Sequence, residues 1–217
     1  MKNVIVIEHP VLQHKLTVMR DKNAPSLVFR RTLNEASRLL AYEVTRDLET
    51  KEVDVETPLE KTKGKMIKED LIIVPIMRAG LGMMDGFLDA LPFASVGHVG
   101  IYRDKLMNHT VEYYFKLPPN HKGKKVLLVD PLLATGDTAI ATINRLKEYG
   151  VGQIRMVTLL SATVGINKIV ERHPDVEIYT ASVERELNDK GYLLPGLGDA
   201  GDRLFQTLAP ATTGAEI

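Results

Sequence analysis

Apolar side chains recur along this chain in two rhythms. Between Ser26 and Leu48 the positions Leu33, Ala36, Leu40, Val44 and Leu48 return every three to four residues, which lines one face of a helix, and Pro25 with Ser26 supplies its start signal. Elsewhere the apolar residues come in short runs that do not alternate cleanly: Leu71 to Ile76, Ala94 to Tyr102, Val126 to Val129 and Ile154 to Leu160, with a further strand at Val176 to Val183. Runs without alternation suit strands covered on both faces, and helical stretches follow the first, third and fourth of them. The expected class is therefore α/β: a doubly wound, mostly parallel sheet flanked by helices, with a small hood and arm.

Between these elements the pattern loosens. The polar segment from Lys51 to Lys68, rich in Lys and Glu, reads as a solvated connector, a loop or short surface element. Val111 to Lys116 reads as an extended arm, closed by the pair Pro118 and Pro119 that no helix accepts, and suggests a flap or interface hairpin. At 217 residues the chain fits one domain over 1–208, with the arm at about 103–120, the hood at about 184–203, and a frayed tail, APATTGAEI, over 209–217.

Charge narrows the choice of partners. Lys plus Arg and Asp plus Glu are each 28, so no overall field draws the protein to nucleic acid or anionic lipid, and any anion must be captured locally. No stretch approaches the ~20 apolar residues of a membrane span, and the early run Val4 to Ile7 is far shorter than a signal-peptide core, so a cytoplasmic protein is expected. The absence of Cys excludes disulfides, thiolate metal sites and Cys nucleophiles. The histidines at 9, 14, 98, 109, 121 and 173 form no i, i+4 pair on a helix with a partnering Glu, which disfavours metal and triad chemistry; His9 and His14 are assigned to structure or an interface.

The most informative segment is KKVLLVDPLLATGDTAIATINRL. A buried strand ends at Asp130, a tight loop carries Thr135, Gly136 and Thr138, and a helix begins. Backbone N–H groups of such a loop, the helix dipole and the Thr hydroxyls all favour a bound phosphate, and an acid at a strand's carboxyl end stands where ligands sit in open α/β sheets. The loop is not a Walker A sequence: the lone Gly64, Lys65 pair is followed by Met66. A strand-end acid with a Thr-Gly loop suits a sugar phosphate, carboxylate to ribose hydroxyls and loop to phosphate. A tight turn that only caps a helix is the alternative on the loop alone.

Here the segment VLLVDPLLATGDT resembles the diphosphoribose signature of type I phosphoribosyltransferases, and Pro131 after the acid resembles the uracil phosphoribosyltransferase branch. HPVLQHKLTVMR, YEVTRDL, PIMRAGLGMMDGFLDALPFASVGHVGIYRD and YLLPGLGDAGDRLF extend the resemblance over nearly the whole chain. It implies transfer of uracil to 5-phosphoribosyl 1-diphosphate (PRPP), giving UMP and diphosphate. By resemblance, PRPP is bound by Arg78, Arg103, Asp199 and the run Asp130, Pro131, Leu132, Leu133, Ala134, Thr135, Gly136, Asp137 and Thr138. Asp130 and Arg103 carry the catalytic roles, and Leu193, Gly198, Asp199 and Ala200 read uracil through a glycine-rich backbone offering both donors and acceptors. Mg²⁺ is expected to arrive with PRPP, near Asp199 and without direct protein ligands of its own.

The resemblance also implies a homo-oligomer, dimer or tetramer, and a GTP effector. Taken alone, Arg78 is a loop cation and Arg103 a partner for Asp104. Asp137 is the clearest departure, since uracil transferases usually carry Gly there; its carboxylate is expected to point outward and cap the helix. Two other readings compete: a non-catalytic diphosphoribose sensor that binds nucleic acid, disfavoured by the neutral charge, and a purine or orotate transferase, disfavoured by YLLPGLGDAGDR.

Overall fold

The computed structural model describes residues 3–104 and 109–207, with the side chains of residues 103, 104 and 109 outside that description. The expected tail at 209–217 also lies outside it. The chain runs through β1 (Val4–Val6), α1 (Pro10–Arg20), α2 (Ser26–Val44), β2 (Thr50–Glu56), β3 (Lys61–Ile67), β4 (Leu71–Met77) and α3 (Leu81–Ala90). Next come β5 (Ser95–Val96), β6 (His98–Asp104), β7 (His109–Lys116), β8 (Lys125–Val129), β9 (Leu132–Leu133) and α4 (Asp137–Glu148). The last part holds β10 (Ile154–Ala162), α5 (Thr163–Arg172), β11 (Glu177–Glu184), β12 (Glu186–Leu187), β13 (Leu193–Leu194) and α6 (Ala200–Phe205).

The main sheet has the order β1-β11-β10-β8-β4-β6-β7, with β5 beside β4 and β9 beside β10. Its pairs are parallel except β6 with β7. The apolar runs become its centre: all nine residues of β10 are buried, as are Leu71 to Ile76 of β4. Successive side chains of a strand face opposite ways. Accordingly Leu127 and Val129 of β8 join a core with Phe29, Leu33, Met83 and Phe87 of α2 and α3, while Val126 and Leu128 join Ile140, Ile143 and Ile169 of α4 and α5. The sheet is thus covered on both faces, the doubly wound, mostly parallel α/β arrangement read from the sequence.

Helix α2 stops at Val44, not at Leu48, and the cause is a buried cation. Arg155 of β10 is 1% exposed and donates to the Val44 carbonyl at 2.6 Å, to both Asp47 oxygens at 2.7 and 2.5 Å, and to Glu177 at 2.6 Å. A bidentate guanidinium binding the last helical carbonyl and the chain just beyond it competes with further α-helix. The segment read as a polar connector is a regular hairpin, β2 paired with β3 from Thr50 opposite Ile67 to Glu56 opposite Lys61. It gave no apolar rhythm because both its faces are largely exposed. In the arm, β7 is an edge strand of the main sheet, antiparallel to β6 with an irregularity at Gly100 and Ile101.

Close approach of α2 and α3 requires Gly86, where an added Cβ would stand 2.6 Å from the Ser37 Cβ. Gly86→Val is expected to lower unfolding free energy by about 1 to 3 kcal/mol through overpacking, read as a lower urea midpoint.

Candidate functional site

Strands β4, β6 and β8 end along one edge of the sheet, and the chain there forms a cleft of about 330 Å³ lined by Arg78, Tyr102, Asp130 and the stretch 132–139. The local sequence explains the loop. Gly136 precedes α4 with φ of 83°, in the left-handed region, and a Cβ there would lie 3.1 Å from the Gly165 carbonyl oxygen. Both facts require glycine. The N-cap residue Gly136 has no side chain to cap α4, and the first-turn amides of the helix face the loop end. Pro131 does not line the cleft; it is buried, and its carbonyl accepts from the Leu159 and Leu160 amides at 3.0 and 3.1 Å, which pins the loop to β10.

On the neighbouring strand end the Met77–Arg78 peptide is cis, and Gly80 turns the chain with its amide bound to the Ile76 carbonyl at 2.9 Å. Arg78 reaches away from the strand. Its guanidinium donates to Thr207 Oγ1 at 3.2 Å and Asp202 Oδ1 at 3.3 Å, and lies 6.0 Å over the Phe205 ring. Arg78 therefore joins the cleft to the hood. Leu193, Gly198, Asp199 and Ala200 do not line the cleft; they sit on the hood beside it, with Leu193 and Ala200 buried and Gly198 at φ of 81°. Asp199 caps α6, its Oδ1 accepting from the Asp202 amide at 2.9 Å. The backbone of Arg103 lies in β6 next to Tyr102, while its side chain is outside the described residues.

Electrostatics single out Asp130. Desolvation pushes its carboxyl up to about 7; the Leu132 amide opposes the rise, and the charge of Asp199 adds to it. Asp137 corrects an expectation. It is the first residue of α4, and its carboxylate binds side chains of the cleft and of α5: Oδ1 accepts from Lys168 Nζ at 3.0 Å and Oδ2 from Thr135 Oγ1 at 3.1 Å. It lines the cleft, yet with a cation at its back. His9 caps α1, its Nδ1 accepting from the Val11 amide at 3.2 Å. Among the described residues no group of three or more His, Asp or Glu could hold a metal ion, and no helix is long and apolar enough to cross a membrane.

Three charged residues that hold the hood escaped the sequence reading: Arg20, Glu184 and Arg203. Arg20 lies within HPVLQHKLTVMR, but its partner Glu184 is 164 positions away, and no local pattern links them.

Comparison with known proteins agrees with this geometry. Residues 6–207 match the family model described as uracil phosphoribosyltransferase. A relative from Fervidobacterium nodosum carrying that name is 54% identical over 203 residues, covering 93% of this chain and 98% of the relative. The solved AQ2163 protein from Aquifex aeolicus superposes with a TM-score of 0.89 at 35% identity, covering 94% of this chain and 98% of the other. The adenine phosphoribosyltransferase from Leishmania donovani shares the fold at a TM-score of 0.58 and 16% identity over 88% of each chain.

The raised Asp130 value has a consequence for stability. Because the folded value lies above the unfolded carboxylate value of about 3.9, ionised Asp130 opposes folding; the cost is absent below that pH and grows as pH rises through about 7. Asp130→Asn is therefore expected to be more stable than the parent near pH ~8, by about 1 to 3 kcal/mol after allowance for solvent screening, and equal to it near pH ~4. Thermal unfolding at the two pH values checks this; no gain at the higher pH rules out a desolvated carboxylate.

Proposed function

The chain belongs to the uracil phosphoribosyltransferase family, and on that premise we propose that its strand-end cleft and hood carry out the family's transfer, joining uracil to C1 of PRPP. It is a transferase, and its products in this reading are UMP and diphosphate. The observation that carries the reading is the desolvated Asp130 carboxyl at the end of β8, facing the loop of Thr135, Gly136 and Thr138 and joined through Arg78 to the glycine-rich hood.

Each group has a role that its chemistry supports. The loop amides and the hydroxyls of Thr135 and Thr138 bind the 5-phosphate, as backbone donors at a helix start favour an anion. Asp130 accepts from the ribose hydroxyls. Arg78, with Arg103 from β6, grips the diphosphate and offsets its charge as it leaves. The hood backbone at Gly198 and Ala200 pairs with the alternating carbonyl and N–H groups of uracil, and Leu193 and Leu197, both buried, support it from behind. Uracil N1 bonds to C1 as the diphosphate departs with its bonding electrons, so orientation and charge neutralisation are the protein's work and no nucleophilic side chain is required.

Mg²⁺ fits this cleft as a guest of PRPP. Asp130 feels the negative charge of Asp199 on the adjoining hood, and among the described residues no group of three or more His, Asp or Glu could cage a metal ion. When bound, the cation would offset charge on the diphosphate and the ribose hydroxyls. Carried by PRPP, it would need no protein ligand of its own and would lie near Asp199. The resemblance alone supports a homo-oligomer, a GTP effector and a cytoplasmic location as further parts of this reading.

The test is UMP formation from uracil and PRPP, run beside hypoxanthine and orotate. Turnover of uracil alone is expected; turnover of either other base in preference overturns the assignment. Asp137 provides a sharper check. An unshielded charge ~8 Å from a phosphate costs roughly 0.5 kcal/mol in water and ~2 kcal/mol at an effective dielectric near 20. Lys168→Ala weakens the shielding of Asp137, so the KM for PRPP is expected to rise about threefold to tenfold. Adding Asp137→Gly to it should restore the parent value within about twofold. An unchanged KM in the single variant shows that the pair does not screen the site.

A further inference from the structure

The hood is held in place by charges that lie outside the cleft. Glu184 ends β11 and is 3% exposed. Its Oε1 accepts from Arg20 Nη2 at 2.6 Å and from Ser182 Oγ at 3.0 Å, while its Oε2 accepts from Arg20 Nη1 at 2.9 Å and from the Gly196 amide at 2.7 Å. Arg20 Nη1 also donates to the Gly196 carbonyl at 2.7 Å. One ion pair therefore binds both backbone polar groups of a single loop residue.

The position of that residue gives the pair its interest. Gly196 stands at φ of 62°, two residues before Gly198 and directly after Pro195, whose peptide with Leu194 is cis. The backbone that would read uracil begins here. Arg20 is the last residue of α1 and Glu184 the last of β11, so the loop is referenced to the ends of two rigid elements. Arg203 ties down the next residue, donating to the Leu197 carbonyl at 2.8 Å and to the Asp21 carbonyl at 2.7 Å, while stacking 4.4 Å over the Phe29 ring. Among the described residues neither Arg20 nor Glu184 bonds to the loop from Asp130 to Thr138. Their influence is thus confined to one of the two substrate positions.

We propose that the Arg20–Glu184 pair is a positioning element for base recognition, holding Gly196 so that Gly198 and Ala200 present their backbone groups to uracil at a fixed height. The inference rests on the reading of the hood as the uracil site. A forked ion pair suits this task. Its two parallel bonds set direction as well as distance, and a buried pair of this kind is weak evidence for stability by itself. A backbone reader depends on such placement more than a side-chain reader does, since it has no rotamers with which to follow a displaced base.

The test separates the two substrates. In Arg20→Gln the KM for uracil is expected to rise about tenfold or more, with kcat within about threefold of the parent, since lost ground-state placement of the base appears in KM. The Kd for PRPP, measured by calorimetry without uracil, should stay within about twofold. Glu184→Gln should behave likewise, and the double variant should be no worse than the poorer single one, because both break one device. Arg20→Lys keeps the charge but not the fork, so its KM for uracil should rise about threefold.

An unchanged KM for uracil in folded Arg20→Gln overturns the proposal. So does a parallel loss of uracil and PRPP affinity that tracks the loss of melting temperature, which marks a merely structural pair. Should Arg20→Gln fail to fold, Arg20→Lys decides: a uracil-specific rise supports the clamp, and parent kinetics overturn it. Parent protein that binds PRPP but forms no UMP would remove the functional reading, and the clamp with it. Active parent protein with unmoved variants removes the clamp alone.

Discussion

A sheet whose central strands are buried on both faces leaves their ends as the place where its central backbone can meet a ligand, and this constraint orders the rest of the molecule. β4, β8 and β10 are buried and largely apolar, so helices must cover both sides, and the loops that connect strand to helix gather at one edge. Each loop then meets two demands. It has to reverse the chain within a few residues, and it has to leave donors for the ligand. Glycine at 80 and 136 meets the first, because a Cβ would strike the backbone of Ile76 or of Gly165. The start of α4 meets the second.

The hood follows from the same geometry. It lies beyond the main sheet, and its regular parts are short: the two-residue pair of β12 with β13 and the six-residue helix α6. Its placement relies on guanidinium groups: Arg20 from the end of α1, Arg203 reaching from α6 back to the chain after α1, and Arg78 from the cleft. Arginine suits this role because a planar group with several donors can bind carbonyls on different segments at once. Arg155 does the same at the far end of β10, where it ends α2. The four arginines replace, at the margins of the fold, the order that strand pairing supplies at its centre.

That division also explains what could be read from the sequence. Strands buried on both faces announce themselves as apolar runs, and Asp130, Thr135 and Gly136 are recognisable because strand, acid, loop and helix are contiguous. The hairpin β2–β3 was hidden by exposure on both faces, which erases the alternation that marks most strands. The end of α2 depended on Arg155, 111 positions from Val44, and the clamp on Glu184, 164 positions from Arg20. Asp137 shows the same limit on a smaller scale: a carboxylate at a helix start reads as a cap, and only the packing of α5 brings Lys168 to it.

Charge balance in the cleft completes the picture. With equal numbers of acidic and basic residues, the chain has no general field to attract a polyanion, so attraction must come from a few oriented groups. Placing Asp130 among them works against that attraction while it is ionised. Desolvation resolves the conflict in the empty cleft by raising its carboxyl to about 7, which leaves it partly neutral at physiological pH. In the proposed function, PRPP brings ribose hydroxyls and a divalent cation that favour the ionised form. Binding should then release a proton, and the acid becomes a good acceptor only when its ligand is in place. Asp137 reaches a similar end by different means, since Lys168 offsets its charge whether or not the cleft is filled. One acid is thus adjusted by solvent exclusion and the other by a fixed counter-charge, and only the first can respond to the ligand.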